Sequence, residues 1–166
     1  MYSKKVLNTF QNPKNYGKIK KADGIGKAGN IICGDVMAIY IKVDQNKKRE
    51  DFIKEIGFET FGCVAAIATS SMITELAKNK TLKQALKITK ANIIKGLSGL
   101  PKTKVHCSLL STDALFEAIY DYYSKNKPSL ITKTLENKHL QILSQHDKIE
   151  KIYPEWFKEE TKKLKN

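Results

Sequence analysis

The three cysteines of the chain each lie in a setting that suits a metal ligand. They are Cys33, Cys63 and Cys107, with Asp35 two residues after the first and His106 directly before the third. Three soft thiolates and one harder oxygen or nitrogen donor make a four-coordinate site, which favours zinc or iron–sulfur chemistry over magnesium or calcium. The cysteines are 30 and 44 residues apart, so only a folded domain could bring them together.

The surroundings of the cysteines favour this interpretation over the alternative that they are ordinary buried thiols. An odd number of cysteines argues against a disulfide framework and for a reducing compartment. In an extended segment, positions i and i+2 point to the same side, so we expect Cys33 and Asp35 to face one site together. Gly34 and Gly62 flank two of the cysteines and leave the backbone free to approach an ion.

Two predicted strands place the first two cysteines. Residues 36–43 are rich in β-forming side chains, and residues 51–61 form a return strand after a turn at 44–48. Cys33 lies just ahead of the first strand and Cys63 just after the second. Antiparallel pairing would bring both to the same end of the sheet.

Helical patterns cover most of the remaining chain. Ser3 can cap a first helix that ends near residue 11, and residues 15–30 read as a loop with at most a short strand. Later helices are expected after Cys63, from a Thr81/Gln84 capping box, over residues 93–97 and after Cys107. Cys63 and Cys107 would thus each lie at a helix N-terminus, where the dipole favours a thiolate.

The last 41 residues, 126–166, differ in character because they hold no cysteine and many lysines. Leucines between 130 and 143 predict one helix, and Trp156, Phe157 and Leu164 predict another after Pro154. His139 and His146 are seven residues apart, and we expect two solvent-facing side chains there rather than a second metal site.

Composition narrows the functional classes. The chain has 166 residues, enough for one domain with a core, and a net charge of +13. Arg49 is its single arginine, which argues against nucleic-acid binding because base and phosphate recognition rely on arginine. No apolar run approaches the roughly 20 residues of a membrane helix, and the N-terminus is unlike a secretory signal. We therefore expect a soluble cytoplasmic protein with no membrane partner.

Five short segments carry a family resemblance. They are Met1-Tyr2-Ser3-Lys4-Lys5-Val6, Asn12-Pro13-Lys14-Asn15, Cys33-Gly34-Asp35, Thr60-Phe61-Gly62-Cys63 and Lys104-Val105-His106-Cys107-Ser108. Together, in this order and spacing, they resemble the U-type iron–sulfur cluster scaffold, the family of IscU and of the N-terminal domain of NifU. The resemblance covers about residues 1–125.

The resemblance implies an α+β fold, with a small antiparallel sheet of about three strands covered by helices. Residues 1–125 would form the scaffold domain and residues 126–166 a lysine-rich helical C-terminal extension. The family's ligand cysteines fall on Cys33, Cys63 and Cys107. Its aspartate falls on Asp35 and its histidine on His106, either of which would be the fourth ligand.

The implied function is that of a scaffold and not of an enzyme. A 2Fe–2S cluster would be built from Fe²⁺ and from the sulfur of a cysteine desulfurase, then passed to apoproteins. Cys107 and Cys63 are candidate persulfide acceptors. Tyr2 occupies the position of a family tyrosine linked to persulfide handling between paired subunits, so a homodimer is one expected state; the alternative for Tyr2 is a frayed terminal side chain.

One partner and two other functions are less favoured by the sequence. Residues 100–104 read Leu-Pro-Lys-Thr-Lys where bacterial housekeeping members carry Leu-Pro-Pro-Val-Lys, so we do not expect the dedicated Hsp70-type chaperone as a partner. A structural Zn²⁺ protein using the same ligands is the main alternative, although closed zinc sites usually use close cysteine pairs. A cysteine enzyme using Cys107 and His106 is less favoured, because adjacent residues rarely form a base–nucleophile pair.

Overall fold

A computed structural model of the chain describes residues 1–151 and residue 154, without the side chains of residues 146 and 149. The helix expected around Trp156, Phe157 and Leu164 lies outside the described residues.

The sheet of the described residues has three strands, β1 (Gly24–Gly29), β2 (Val36–Gln45) and β3 (Asp51–Phe61). They are antiparallel and lie in the order β1-β2-β3, so the α+β fold with about three strands is confirmed. Central β2 is buried over residues 36–41, which explains its run of β-branched and apolar side chains. It extends two residues beyond the predicted strand, and the turn lies correspondingly later, while β3 has the predicted bounds.

Six α-helices are present in the described residues: α1 (Lys4–Gln11), α2 (Val64–Ala77), α3 (Leu82–Ala85), α4 (Lys90–Gly96), α5 (Val105–Asn126) and α6 (Lys133–Glu150). Ser3, Thr81 and Thr89 cap α1, α3 and α4 with their side chains. The Thr81/Gln84 capping box is confirmed, but the helix that it opens is a single turn because a second box at Thr89 begins α4.

The core lies between the sheet and helices α2 and α5. Phe58 and Ile39 from the sheet, Ile73 from α2 and Ile119 from α5 are fully buried in it. Helix α2 is buried on nearly all sides. Its alanine, serine and threonine residues permit this, because small side chains allow α1, α5 and β3 to approach together.

The C-terminal extension packs back onto the domain through α6. The ring of His139 stacks on Tyr120 of α5 at 3.9 Å between centroids, and Lys138 lies 4.5 Å above the ring of Phe116. Ile142 of α6 is buried. The division of the chain at residues 125/126 stays a prediction, and α5 ends at Asn126.

Candidate metal centre

Three junctions of the fold meet at one end of the sheet. Val36, the first residue of β2, pairs with Phe61, the last residue of β3. The loop before β2 therefore lies beside the β3–α2 junction, as the antiparallel pairing predicted. Cys63 is the N-cap residue of α2, and Cys107 lies in the first turn of α5. The fold thus brings together residues that are far apart in the sequence.

Asp35, Cys63 and Cys107 form the inner donor group. Oδ2 of Asp35 lies 3.7 Å from Sγ of Cys63 and 3.7 Å from Sγ of Cys107, and the two sulfur atoms are 3.9 Å apart. The carboxylate and Cys107 are buried, whereas Cys63 is half-buried. These are distances at which one ion, or one edge of a cluster, can bridge the three donors with small side-chain movements.

Cys33, Asp35 and His106 form the outer donor group. One ligand atom from each lies within 4.8 Å of the others, and Asp35 is shared with the inner group. Cys33 is exposed to solvent, so the centre has an open side. All five sequence-predicted residues therefore meet at one place, arranged around Asp35.

Cys33 reaches this centre by a turn and not by an extended segment. The amide N–H of Gly34 donates to the carbonyl of Asn30 at 2.8 Å, and Gly34 adopts a φ of +71°. The prediction that Cys33 and Asp35 lie on an extended segment was therefore wrong, although the two residues do share a site. The turn forms because Gly34 takes the left-handed conformation that other residues avoid and because the Asn30 side chain accepts from the N–H of Ile32.

The donor set fits a thiophilic metal or an iron–sulfur cluster. The Nε2 atom of His106 is buried and has no hydrogen-bond partner among the described residues. A buried nitrogen of this kind is costly unless another group, such as a metal ion, binds it. Three sulfur donors, one imidazole and one carboxylate match iron or zinc and are a poor match for magnesium or calcium.

Two thiols of the centre, those of Cys107 and Cys33, have pKa values shifted towards the protonated form. Burial raises the pKa of Cys107 far above its usual range, and the nearby Cys63 and Asp35 raise it further. Burial also raises the pKa of Cys33. The position of Cys107 at a helix N-terminus is confirmed. The thiolate expected there is disfavoured, first by desolvation and then by the nearby Cys63 and Asp35, despite the helix dipole.

Two residues beside the centre add a phenol and a positive charge. Tyr2 is half-buried and packs against the core, which argues against a frayed terminus. Its pKa is raised by burial and then by the neighbouring Cys63. Lys104 lies close enough to Cys63 and Tyr2 for their negative charges to raise its pKa. Lys104 was not among the predicted site residues, and only its position two residues before His106 pointed to this centre.

The prediction that the side chain of His139 faces solvent is wrong. Its Nδ1 lies 2.8 Å from a carboxylate oxygen of Glu117, and only 21% of its side chain is exposed. Glu117 is itself buried on α5. His139 therefore packs against α5, because a desolvated carboxylate needs a hydrogen-bond partner from the protein. The side chain of His146 lies outside the described residues.

Within residues 1–151 and 154, no helix has both the length and the apolar character needed to cross a membrane.

Comparison with known proteins identifies the family. The family model for the NifU-like N terminal domain matches residues 1–129. The iron–sulfur cluster assembly scaffold protein IscU 1 of Archaeoglobus fulgidus is 59% identical over 126 residues, which cover 76% of this chain and 79% of that protein. The IscU scaffold protein of Aquifex aeolicus is 45% identical over 124 residues, covering 75% and 77% of the two chains.

Solved structures share the fold. A putative iron–sulfur cluster assembly scaffold protein for the SUF system from Fervidobacterium islandicum matches with a TM-score of 0.59 and 24% identity, covering 71% of this chain and 96% of that one. The N-terminal part of a NifU-like protein from Brucella abortus matches with a TM-score of 0.55 and 17% identity, covering 74% and 94%. From the family model and these relatives, the chain belongs to the NifU-like N-terminal domain family.

Proposed function

We propose that this protein is a scaffold on which a 2Fe–2S cluster is assembled from Fe²⁺ and desulfurase-derived sulfur, and from which the cluster passes to apoproteins. The observation that carries the proposal is the convergence of three cysteines from three separate junctions around the carboxylate of Asp35. The names of the relatives, which are iron–sulfur cluster assembly scaffold proteins, support the same function.

The ligand set accounts for both holding and releasing a cluster. Cys33, Cys63 and Cys107 would bind the irons as thiolates, and Asp35 or His106 would be the fourth ligand. A carboxylate oxygen is a hard donor and matches a soft iron–sulfur centre poorly, so that corner is the weakest. The exposed Cys33 gives a recipient protein access to the cluster from the open side of the centre.

Sulfur would arrive by persulfide transfer. A thiolate of this chain attacks the outer sulfur of a persulfide on the cysteine desulfurase, a new S–S bond forms, and the desulfurase cysteine leaves as a thiolate. Cys63 and Cys107 are the proposed acceptors; Cys63 is half-buried and Cys107 fully buried, so Cys63 is the more accessible of the two. Reduction of the transferred sulfur to sulfide takes two electrons from an external donor.

The proposed partners follow from this chemistry. They are a cysteine desulfurase of the NifS/IscS type, apo forms of iron–sulfur proteins and a second copy of this chain in a homodimer. The altered segment at residues 100–104 makes the Hsp70-type chaperone a partner that we do not propose.

A structural zinc site is the alternative that uses the same ligands. Structural zinc sites usually draw on cysteine pairs two to four residues apart, and here the cysteines are 30 and 44 residues apart. An exposed cysteine and a shared carboxylate also suit an exchangeable site better than a closed one. Zn²⁺ would still occupy the cluster-free centre, so zinc binding alone does not separate the two functions.

Anaerobic reconstitution separates them. The protein is incubated with a cysteine desulfurase, cysteine, a thiol reductant and Fe²⁺, and its visible absorption is recorded before and after. We expect a brown protein with iron and acid-labile sulfide in near-equal amounts. If zinc binds and stays while iron and sulfide never bind together, the structural zinc function is correct.

A further inference from the structure

The backbone of Gly62 supports the carboxylate around which the centre is arranged. A Cβ atom placed on Gly62 would lie 2.9 Å from Cγ and 3.0 Å from Oδ1 of Asp35. It would also lie 2.8 Å from Cβ of Ala66 in the first turn of α2. Carbon atoms in contact normally lie about 3.5–4.0 Å apart, so neither contact leaves room for a methyl group.

The requirement for glycine at this position is one of space and not of backbone conformation. Gly34 has a positive φ, whereas the φ of Gly62 lies outside the left-handed region. An alanine could therefore adopt the backbone of Gly62 without strain. The only cost of the methyl group would be its collision with Asp35 and Ala66.

The side chain of Asp35 is the group that would move to relieve this collision. Ala66 is fully buried in α2 and cannot retreat without moving that helix. The Asp35 side chain can rotate, but its Oδ2 would then leave the point that lies 3.7 Å from both Cys63 and Cys107. Moving the chain instead would displace Cys63, the next residue after Gly62.

We propose that Gly62 is a positioning residue for the metal centre. Because Gly62 has no Cβ atom, the Asp35 carboxylate can occupy its place between the inner and outer donor groups. The inference rests on the proposed function of this centre. It predicts that Gly62 acts on metal binding only through Asp35, although Gly62 itself offers no ligand.

Co²⁺ binding tests the inference without requiring cluster assembly. The metal-free wild type and the variants Gly62→Ala, Asp35→Ala and Gly62→Ala/Asp35→Ala are titrated anaerobically with Co²⁺, and the thiolate-to-cobalt absorption is followed. We expect Gly62→Ala to weaken Co²⁺ binding 10- to 100-fold, the range found when a group that orients a ligand is lost. Asp35→Ala should weaken it similarly, and the double variant should bind as Asp35→Ala alone does.

Two further variants and the melting temperature serve as controls. Gly96→Ala is the matched control, because the three atoms nearest to its methyl group would all belong to the flexible side chain of Met72, and it should bind Co²⁺ as the wild type does. Should Gly62→Ala melt too low to titrate, adding Asp35→Ala should raise its melting temperature by removing the collision with the carboxylate. In Gly62→Ala/Ala66→Gly the collision with Asp35 remains, so Co²⁺ binding should stay weak.

The contradicting results are distinct from failure of the proposed function. Wild-type affinity in Gly62→Ala, additive losses in the double variant, or recovery by Ala66→Gly would each overturn the role of Gly62. A wild-type protein that binds no Co²⁺ through its thiols would instead overturn the metal centre itself.

Discussion

Oδ2 of Asp35 lies 3.7 Å from Sγ of Cys107, although 72 residues separate the two in the chain. The carboxylate is buried beside a buried thiol, and its charge is one reason why the pKa of that thiol is raised. Two groups that repel each other as anions are stabilised together only when a cation lies between them. The free centre is therefore prepared for a metal.

Replacing Asp35 by alanine should slow cluster release. The carboxylate is a hard donor on a soft cluster, so its loss leaves a centre held by sulfur and nitrogen. We expect the variant to assemble a cluster but to transfer it to an apo-ferredoxin several-fold more slowly, even though a single Co²⁺ ion, which accepts oxygen ligands readily, binds it less well. Transfer rate and melting temperature are measured on the same preparation.

A purely structural role for Asp35 gives the opposite pattern. If its side chain only stabilised the loop before β2, the substitution would cost about 1 kcal/mol and leave transfer unchanged. A normal transfer rate with a lowered melting temperature would therefore exclude the release function.

Replacing any one of Cys33, Cys63 or Cys107 by alanine should abolish cluster assembly or weaken it sharply. Each substitution leaves a four-ligand site with three donors, and cluster binding depends on the full set. Iron and sulfide content after anaerobic reconstitution is the measurement. Ser124→Ala, on the exposed side of α5, is the control and should assemble normally. Retained assembly in Cys63→Ala would show that the site is composed of other residues.

Metal affinity should rise with pH. Burial and anionic neighbours raise the pKa of the Cys107 thiol, so a metal ion must displace its proton at neutral pH. We expect the apparent affinity for Zn²⁺ to increase from about pH 6 to about pH 8, with release of protons that calorimetry in buffers of different ionisation enthalpy detects. An affinity independent of pH, with no proton release, would mean that thiols are not ligands.

The pH dependence of the metal-free protein has the opposite sign. A thiol whose pKa is higher in the folded than in the unfolded state stabilises the fold below its unfolded pKa of about 8.5. That stability is lost as the pH rises toward the folded pKa. The metal-free protein should thus melt at lower temperature above about pH 9 than at pH 7, and bound Zn²⁺ should reverse the trend.

His139→Ala should destabilise the domain by about 1–3 kcal/mol at neutral pH, because it leaves the buried carboxylate of Glu117 without its partner. Burial raises the pKa of Glu117, and His139 opposes that rise, so the pKa rises further in the variant. The variant's deficit should be small near pH 4, where Glu117 is protonated, and full near pH 7.

Chemical denaturation at the two pH values measures this difference. Glu117→Gln in the His139→Ala background removes the unpaired charge and should recover part of the loss. An equal deficit at both pH values would show that His139 contributes by packing on Tyr120 and not through Glu117.

Local patterns were sufficient to predict that Cys33 and Cys63 lie at the same end of the sheet. The β-rich run of β2 and the turn after it predict a hairpin, and pairing alone brings Cys63 next to the loop that holds Cys33. The small residues after Cys63 and the amphipathic pattern after Cys107 predict α2 and α5, with a cysteine near the start of each. The positions of Asp35 and His106 beside the cysteines indicated them as further donors, and the family resemblance matched them to the family's aspartate and histidine.

Contacts between distant segments could not be predicted in this way. The turn at residues 30–34 depends on Gly34 and Asn30, and it resembles an extended segment in sequence because short loops carry no periodicity. Glu117 and His139 are 22 positions apart on two different helices, and a histidine on a polar helix gives no sign of a buried carboxylate opposite it. The raised pKa of Cys107 likewise depends on burial, which helix position alone does not reveal.

Transfer of a preassembled cluster tests the central claim most directly. The anaerobically reconstituted wild-type protein is mixed with an apo-ferredoxin in the presence of an iron chelator, and the two proteins are separated and analysed for iron and sulfide. A scaffold should lose its cluster while the ferredoxin gains a 2Fe–2S spectrum, with little iron passing to the chelator. A cluster or metal ion that stays on this protein, while the ferredoxin remains in its apo form, would contradict the scaffold function.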